Sequence, residues 1–319
     1  MHGQLSAGAL VDDFLAAALH AFLLDMRSRG YSELTLKGYN SHLQKFRIWL
    51  FSNRGYVSLA DIRRDDLQAY AQHLALQKTR KGKPLAVSTR NGHLNALRSF
   101  FAYLTKSGHL LANPASELSN FRAQKKLPRV PSYEEILRLL AAVDSSVKGL
   151  RDRAWMELLY GSGLRLGELL GLNVTDLCLD EDLIHIRLGK GSKDRFVPLT
   201  PEAKKAINTY IKTSRPQLAR SGEPALFVSP LGNRMSRYTV SDGLHHYAKK
   251  AGIELRITPH VLRHSCATHL LKNGAGLRHI QLLLGHEYLS TTQIYTRVEI
   301  TDLRDVVRRC HPREKFYEE

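Results

Sequence analysis

The chain has 319 residues, 43% of them hydrophobic, which suits about two domains with real cores and excludes a wholly disordered protein. Its formal charge of +17 and isoelectric point near 9.9 point to a polyanionic partner, nucleic acid before any other. The three cysteines, Cys178, Cys266 and Cys310, lie far apart with no C-x-x-C pair, which speaks against a disulfide framework or a zinc ribbon and suits the reducing cytoplasm.

The first apolar stretch, FLAAALHAFLL (14–24), is flanked by Asp13 and Asp25 and is too short to span a bilayer. It belongs to an amphipathic helix over 10–28, ended by Gly30. A second helix is expected over 33–53 behind the N-cap candidate Ser32, with Leu36, Tyr39, Leu43, Phe46 and Leu50 at helical spacing. A third covers 62–77 and a fourth 89–106, and no strand pattern interrupts them. Residues 1–112 therefore read as a helical bundle. From Met1 to Pro131 there are 19 Lys+Arg against 8 Asp+Glu, a net of +11, and from Ser132 onward the net is only +6. The smaller part carries most of the excess.

Between the third and fourth helices lies QKTRKGKP (77–84), with four cations and no anion. A charge run is often just a solvated loop. This one leads into a helix that adds Arg90 and Arg98 opposite an apolar stripe, which is how a phosphate-tracking surface is built. Lys78, Arg80, Lys81, Lys83 and Arg90 are the DNA-binding candidates. Residues 113–131 read as a linker, with Pro114, Pro128 and Pro131 and no helical period. SYEE (132–135) is a capping-box sequence that opens a second domain, 132–319. Helices are expected over 132–143 and 149–160, then a hairpin of LIHIRL (183–188) and RFVPLT (195–200) around the turn GKGSKD, then further helices. The tail, 301–319, offers Thr301 as N-cap and places Leu303, Val306, Val307 and Cys310 on one apolar face that must be buried somewhere.

Four pieces of the second domain carry chemistry. GSGLRLGELLGL (161–172) is a glycine-rich turn that delivers Arg165 to a helix start. LGKGSKDRFVPL (188–199) puts Lys190 at a hairpin turn and is not a P-loop, since it lacks G-x-x-x-x-G-K-[ST]. TPHVLRHSCATHLL (258–271) places His260 and Arg263 one helical turn apart on one face. His260 and His264 have i,i+4 spacing, but without H-E-x-x-H no metal site is expected, and no cofactor. GHEYLSTTQIYT (285–296) holds His286 and two tyrosines, Tyr288 and Tyr295. Each piece alone has an ordinary structural reading.

Together and in this order they resemble the tyrosine recombinase, or phage integrase, family, in particular its Xer-like bacterial members. The motifs H-x-L-R-H-S-x-A-T-H-L-L and L-L-G-H-x-x-x-x-T-T-x-x-Y-T are the most specific parts, and the likeness runs over nearly the whole chain. It implies a mostly helical protein with a small β-sheet. An N-terminal SAM-like core-binding bundle would precede a mixed α/β catalytic domain. Arg165, Lys190, His260, Arg263 and His286 would be the activating set and Tyr295 the nucleophile, with Tyr288 at the wrong spacing from His286. Glu168 would order the helix start and its cations. The substrate would be double-stranded DNA with paired half-sites, cut and rejoined without metal or ATP through a 3′-phosphotyrosine and a Holliday junction, for integration, excision or dimer resolution. The tail would dock on a neighbouring protomer and close a tetramer on DNA. The alternatives are a type IB topoisomerase, with the same chemistry in a monomer, or a catalytically idle DNA-binding regulator.

The residue types fit such chemistry. Attack on a phosphodiester builds charge on its non-bridging oxygens, which two guanidiniums can clamp bidentately. A phenol of pKa about 10 is almost wholly protonated at neutral pH and needs a cationic pocket or a base. His260 and His286 can orient the phosphate or take the proton. The departing 5′-oxygen needs a proton, for which Lys190 is the general-acid candidate.

Overall fold

A computed structural model of the chain describes residues 7–55, 58–79, 81–122, 129–187, 194–285 and 297–314. The chain divides into two compact units, Met1–Lys126 and Leu127–Glu319.

The first unit is built of α1 (Ala7–Ser28), α2 (Glu33–Arg54), α3 (Arg64–Leu76) and α4 (Val87–Lys106). Ser32 caps α2 by accepting the Thr35 N–H at 3.2 Å. The apolar stripes of all four helices meet in one core, with Phe22, Leu43, Phe46, Leu67, Tyr70, Leu97, Phe100 and Phe101 buried. Burying each such side chain stabilises the unit by roughly 1.5–3 kcal/mol.

This unit extends past its last helix. Ala115 and Leu118 join the core, and α4 holds the chain beyond them. Asn91 exchanges two hydrogen bonds with the Phe121 backbone, at 2.8 and 3.1 Å. Arg98 donates to the Leu118 carbonyl at 2.6 Å and to Asn120 Oδ1 at 2.8 Å. Much of the stretch expected to be linker is thus laid on α4. Arg98, expected to face phosphates, is engaged by that strap.

The second unit begins at α5 (Tyr133–Ala141), where Ser132 and Glu135 form the expected capping box. Next comes α6 (Val147–Gly161), buried along nearly its whole length together with Arg151, Asp152 and Glu157. These charges are internally matched: Asp152 accepts from Arg151, Trp155 and Tyr247, and Glu157 from Arg153 and Arg313. After α7 (Leu166–Gly171) the chain forms a three-stranded antiparallel sheet of β1 (Leu177–Cys178), β2 (Leu183–Ile186) and β3 (Arg195–Pro198), in that order. The hairpin is as expected but shorter, because Thr200 leaves the strand to cap the next helix. The two-residue β1 offers no period for sequence reasoning to find.

α8 (Pro201–Thr209) runs through a π-helical turn at Tyr210–Ser214 into α9 (Arg215–Leu218), followed by α10 (Arg237–Lys250), α11 (Pro259–Lys272) and α12 (Leu277–Leu284). The last helix, α13, spans Arg297–Cys310. It starts four residues before Thr301, so Thr301 is not its N-cap; R-V-E-I contains nothing that stops a helix. Leu303, Val306, Val307 and Cys310 lie in the core of this same unit. In the single chain this face is thus covered by its own unit. Behind α13, Arg313 reaches buried Glu157 at 2.6 Å and Asn273 donates to the Cys310 carbonyl at 2.8 Å. Among the described residues no helix is long and apolar enough to cross a membrane.

The strap on α4 makes a prediction. Asn91→Ala removes both bonds to Phe121 and should loosen the segment by roughly 1–3 kcal/mol. Native-state amide exchange at Phe121 should then speed up by about 10- to 100-fold while the α4 core amides keep their protection.

Candidate active site

The turn before α7 is set by Gly163, whose φ of +60° favours glycine and whose Cα packs against Leu284; an added Cβ would lie 2.8 Å from Leu284 Cδ2. The turn places Arg165 at the N-terminus of α7. There the Glu168 carboxylate accepts the Arg165 backbone N–H at 2.8 Å and its Nη1 at 2.8 Å. Arg165 Nη2 donates to the Gly285 carbonyl at 2.6 Å.

Arg263 comes from α11, which Thr258 caps and Pro259 starts. Its Nη1 donates to the Gly163 carbonyl at 2.7 Å and its Nη2 to the Leu284 carbonyl. Its Nη1 also lies 4.0 Å from Glu168. The α7 and α11 arginines thus converge on one carboxylate and on consecutive carbonyls at the end of α12. A guanidinium has five N–H groups. Among the described residues, Arg165 and Arg263 each commit two of their five side-chain N–H groups to these hydrogen bonds.

Burial pushes the Arg263 guanidinium down to about 10, helped by the nearby Arg165 charge; it remains a cation at neutral pH. Burial pushes the Glu168 carboxyl upward, but hydrogen bonds and charge from Arg195, with Arg165 adding to them, outweigh this and hold it below its ordinary value. Arg195 is the member that sequence reasoning missed. It is only 2% exposed and grips both Glu168 oxygens, at 2.9 and 3.0 Å. The available signal was its place in β3: it shares the strand face of buried Val197, a position where a cation must have a partner.

His260 is exposed in the first turn of α11, one turn before Arg263. Lys190, His286 and Tyr295 lie outside the described residues, as does Tyr288. The described chain leads up to them: Ile186 pairs with Arg195 across the hairpin that carries Lys190, and Gly285, bonded to Arg165, immediately precedes His286. Among the described residues no group of three or more His, Cys, Asp or Glu is placed to hold a metal ion.

In the first unit, Lys78, Lys81 and Lys83 are exposed on a tight turn closed by Thr79 N–H to Lys83 carbonyl at 2.7 Å. Arg80 is outside the described residues. Arg90 is half-buried, with its guanidinium 4.7 Å from the Phe121 ring centre, a cation–π contact that ties it to the strap.

Residues 131–301 match the model of the phage integrase family, and residues 19–108 that of the phage integrase N-terminal SAM-like domain. The chain is 39% identical to Tyrosine recombinase XerC 2 of Ralstonia nicotianae, over 89% of this chain and 82% of that one. It is 38% identical to Tyrosine recombinase XerC of Vibrio cholerae over 95% of both chains, and 36% identical to Tyrosine recombinase XerD of Listeria innocua over 95% and 99%. Its fold matches a lambda integrase dimer bound to a COC′ core site, with a TM-score of 0.67 at 20% identity, over 88% of this chain and 98% of that one.

The buried carboxylate gives the site a pH signature. Because the folded Glu168 is held below its ordinary value, its ionised form adds stability above the unfolded pKa of about 4.3, and that stability is lost as pH falls through the folded value. Glu168→Gln should cost about 3–5 kcal/mol at pH 7 by leaving Arg195 without its counter-charge. The gap to the parent protein should begin to narrow as pH falls below the unfolded pKa of about 4.3 and go on narrowing through the lower folded value. Denaturant unfolding of both proteins across pH 3–7 checks this.

Proposed function

The chain belongs to the phage integrase family and is a tyrosine-type site-specific DNA recombinase; from that premise we propose that Tyr295 cuts DNA by forming a 3′-phosphotyrosine, within an active site made of Arg165, Lys190, His260, Arg263 and His286. The observation that carries this reading is the convergence of Arg165 and Arg263 on Glu168 and on the carbonyls of Leu284 and Gly285, directly before the segment with His286 and Tyr295.

In this reading the free N–H groups of the two arginines hold the non-bridging oxygens of the scissile phosphate. They are strongest where charge develops, so they lower the barrier rather than merely bind; one such donor is typically worth roughly 3–4 kcal/mol. The Tyr295 oxygen attacks phosphorus, its proton passing to a histidine of the pocket. The bond to the 5′-oxygen breaks, and Lys190 supplies the proton that the leaving oxygen needs. The phosphotyrosine keeps the phosphodiester energy, so a 5′-hydroxyl from the partner duplex can displace Tyr295 and rejoin the strands. One pair of exchanges makes a Holliday junction and a second resolves it. The solved relatives bound to DNA support the DNA partner, and the excess of cations in the first unit supports Lys78, Arg80, Lys81, Lys83 and Arg90 as its contacts.

Paired exchange calls for a tetramer on two duplexes. In the single chain α13 is covered at home, so assembly through the tail would exchange α13 between copies and remake the burial of Leu303, Val306, Val307 and Cys310 across the interface, at little net cost in contacts. Such a protein works in the cytoplasm, where the DNA is.

Tyr295→Phe should abolish covalent adducts on nicked suicide DNA while leaving half-site affinity nearly intact. Persistent adducts in that variant, with loss in Tyr288→Phe, would move the nucleophile. Relaxation of supercoils by a monomer without strand exchange would favour the topoisomerase alternative.

Lys190→Ala should slow cleavage by about 10²–10⁴-fold, the range of general-acid catalysis, with little change in binding. A 5′-bridging sulfur leaves without protonation and should restore the rate. No restoration would remove Lys190 from the acid's role.

A further inference from the structure

Arg195 is an unusual residue to bury. It is 2% exposed, and its Nε is buried without a hydrogen-bond partner among the described residues. Replacing a buried ion pair with apolar side chains is often neutral or stabilising, so its pairing with Glu168 does not by itself account for an arginine here. Its geometry offers a reason. Each Glu168 oxygen accepts one Nη of Arg195 and one N–H of Arg165: Nη1 of both arginines on Oε1, and Arg195 Nη2 with the Arg165 backbone on Oε2. A carboxylate has about four lone-pair sites, and these four bonds fill them.

We propose that Arg195 is a positioning residue for DNA cleavage: by saturating Glu168 from the buried side it keeps that carboxylate from capturing Arg165, whose remaining N–H groups stay free for the scissile phosphate. The inference rests on the recombinase reading of Arg165 given above and adds a residue that never touches DNA. Three features support it. Arg165 is 40% exposed at its side chain, on the open side of Glu168, whereas Arg195 is on the closed side. Arg195 also packs against the residue whose carbonyl Arg165 uses: its guanidinium lies so close to Gly285 that an added Cβ there would fall 2.8 Å from Arg195 Cζ. Finally, without Arg195 the freed lone pairs face two other cations, Arg165 at 2.8 Å and Arg263 at 4.0 Å. Both would be drawn inward, and a fork-to-fork pair of Arg165 with Glu168 would consume the donors meant for phosphate.

The test compares Arg195→Lys, Arg195→Met and the double variant Arg195→Met with Glu168→Gln in the full-length protein. Three quantities are read: the single-turnover rate of covalent adduct formation on nicked half-site DNA, the affinity for that DNA, and the unfolding temperature. Arg195→Lys replaces the two-pronged grip by a point charge, and Arg195→Met removes the cation. Cleavage should fall roughly 10-fold and 100-fold respectively, the size expected for a group displaced by about 1 Å, with DNA affinity changed less than about threefold. Glu168→Gln removes the charge that would capture Arg165, so the double variant should cleave faster than Arg195→Met alone at a temperature where all are folded. Unchanged cleavage overturns the proposal. So does a loss that tracks DNA affinity or unfolding temperature across the variants, or a double variant no faster than Arg195→Met. Arg195→Lys keeps the charge and decides the matter should the methionine variant fail to fold. Absence of adducts in the unaltered protein would be a different failure, sinking the recombinase chemistry itself and this inference with it.

Discussion

The catalytic unit is organised around one carboxylate surrounded by guanidiniums. Three arginines from three elements, the α7 start, β3 and α11, carry three positive charges into a partly buried space with Glu168 as their shared anion. Two unit charges 4 Å apart interact by about 4 kcal/mol at an effective dielectric constant of 20, so gathering like charges there is costly without a central counter-charge. The carboxylate supplies it and fixes geometry at the same time, because its two oxygens dictate where each donor lies. Carbonyl dipoles do the rest: Gly163, Leu284 and Gly285 each accept an N–H from an arginine. Among the described residues the outward N–H groups of the cluster meet no further carboxylate, and a phosphodiester has the charge and the paired oxygens to fill the role proposed for it.

A second carboxylate works in the same way away from the surface. Glu157, fully buried in α6, receives Arg153 from its own helix and Arg313 from beyond α13, while Tyr133 donates to the Pro312 carbonyl at 3.2 Å. His311 is wholly buried beside Cys266 and pushed down to about 3, chiefly by burial, so it stays neutral. These contacts moor the end of α13. The segment 286–296, with His286 and Tyr295 in it, is therefore bracketed by two anchored ends of the same unit, Gly285 on the arginine pair and α13 on the core.

Much of this was readable from the residues. Helical spacing located the four helices of the first unit and, in the second, α5, α6 and the apolar face of α13, and S-x-x-E marked the start of α5. The meeting of Arg165 with Arg263 followed only from the family likeness, since nothing in the spacing of residues 98 positions apart says that they touch. What escaped was whatever depends on tertiary partners. Arg195 looks like a turn-flanking cation until β3 turns it inward. Arg98 looks like a surface cation until the chain after Pro114 comes back along α4. The apolar face of α13 was legible, but which surface covers it was not, because an amphipathic helix specifies only that it must be covered.

The two units divide the work in a way that their charges already suggest. The first unit, Met1–Lys126, holds 18 Lys+Arg against 8 Asp+Glu, a net of +10, and none of the proposed reacting groups; its exposed Lys78, Lys81 and Lys83 are the proposed contacts for phosphates of any sequence. Attraction of that kind is equal in ground and transition states, so it concentrates the protein on DNA without accelerating a cut. The second unit is far closer to neutral for its size, yet it buries Arg151, Arg195, Arg263 and Arg313, each beside a carboxylate. Charges held in fixed, dry places cost little to reorganise when the phosphate gains charge, and that is the condition under which they lower a barrier. A surface lysine cannot do this, because its long side chain and its water must rearrange first. In the proposed chemistry the buried arginine cluster, rather than the larger positive charge of the whole chain, is therefore where binding turns into catalysis.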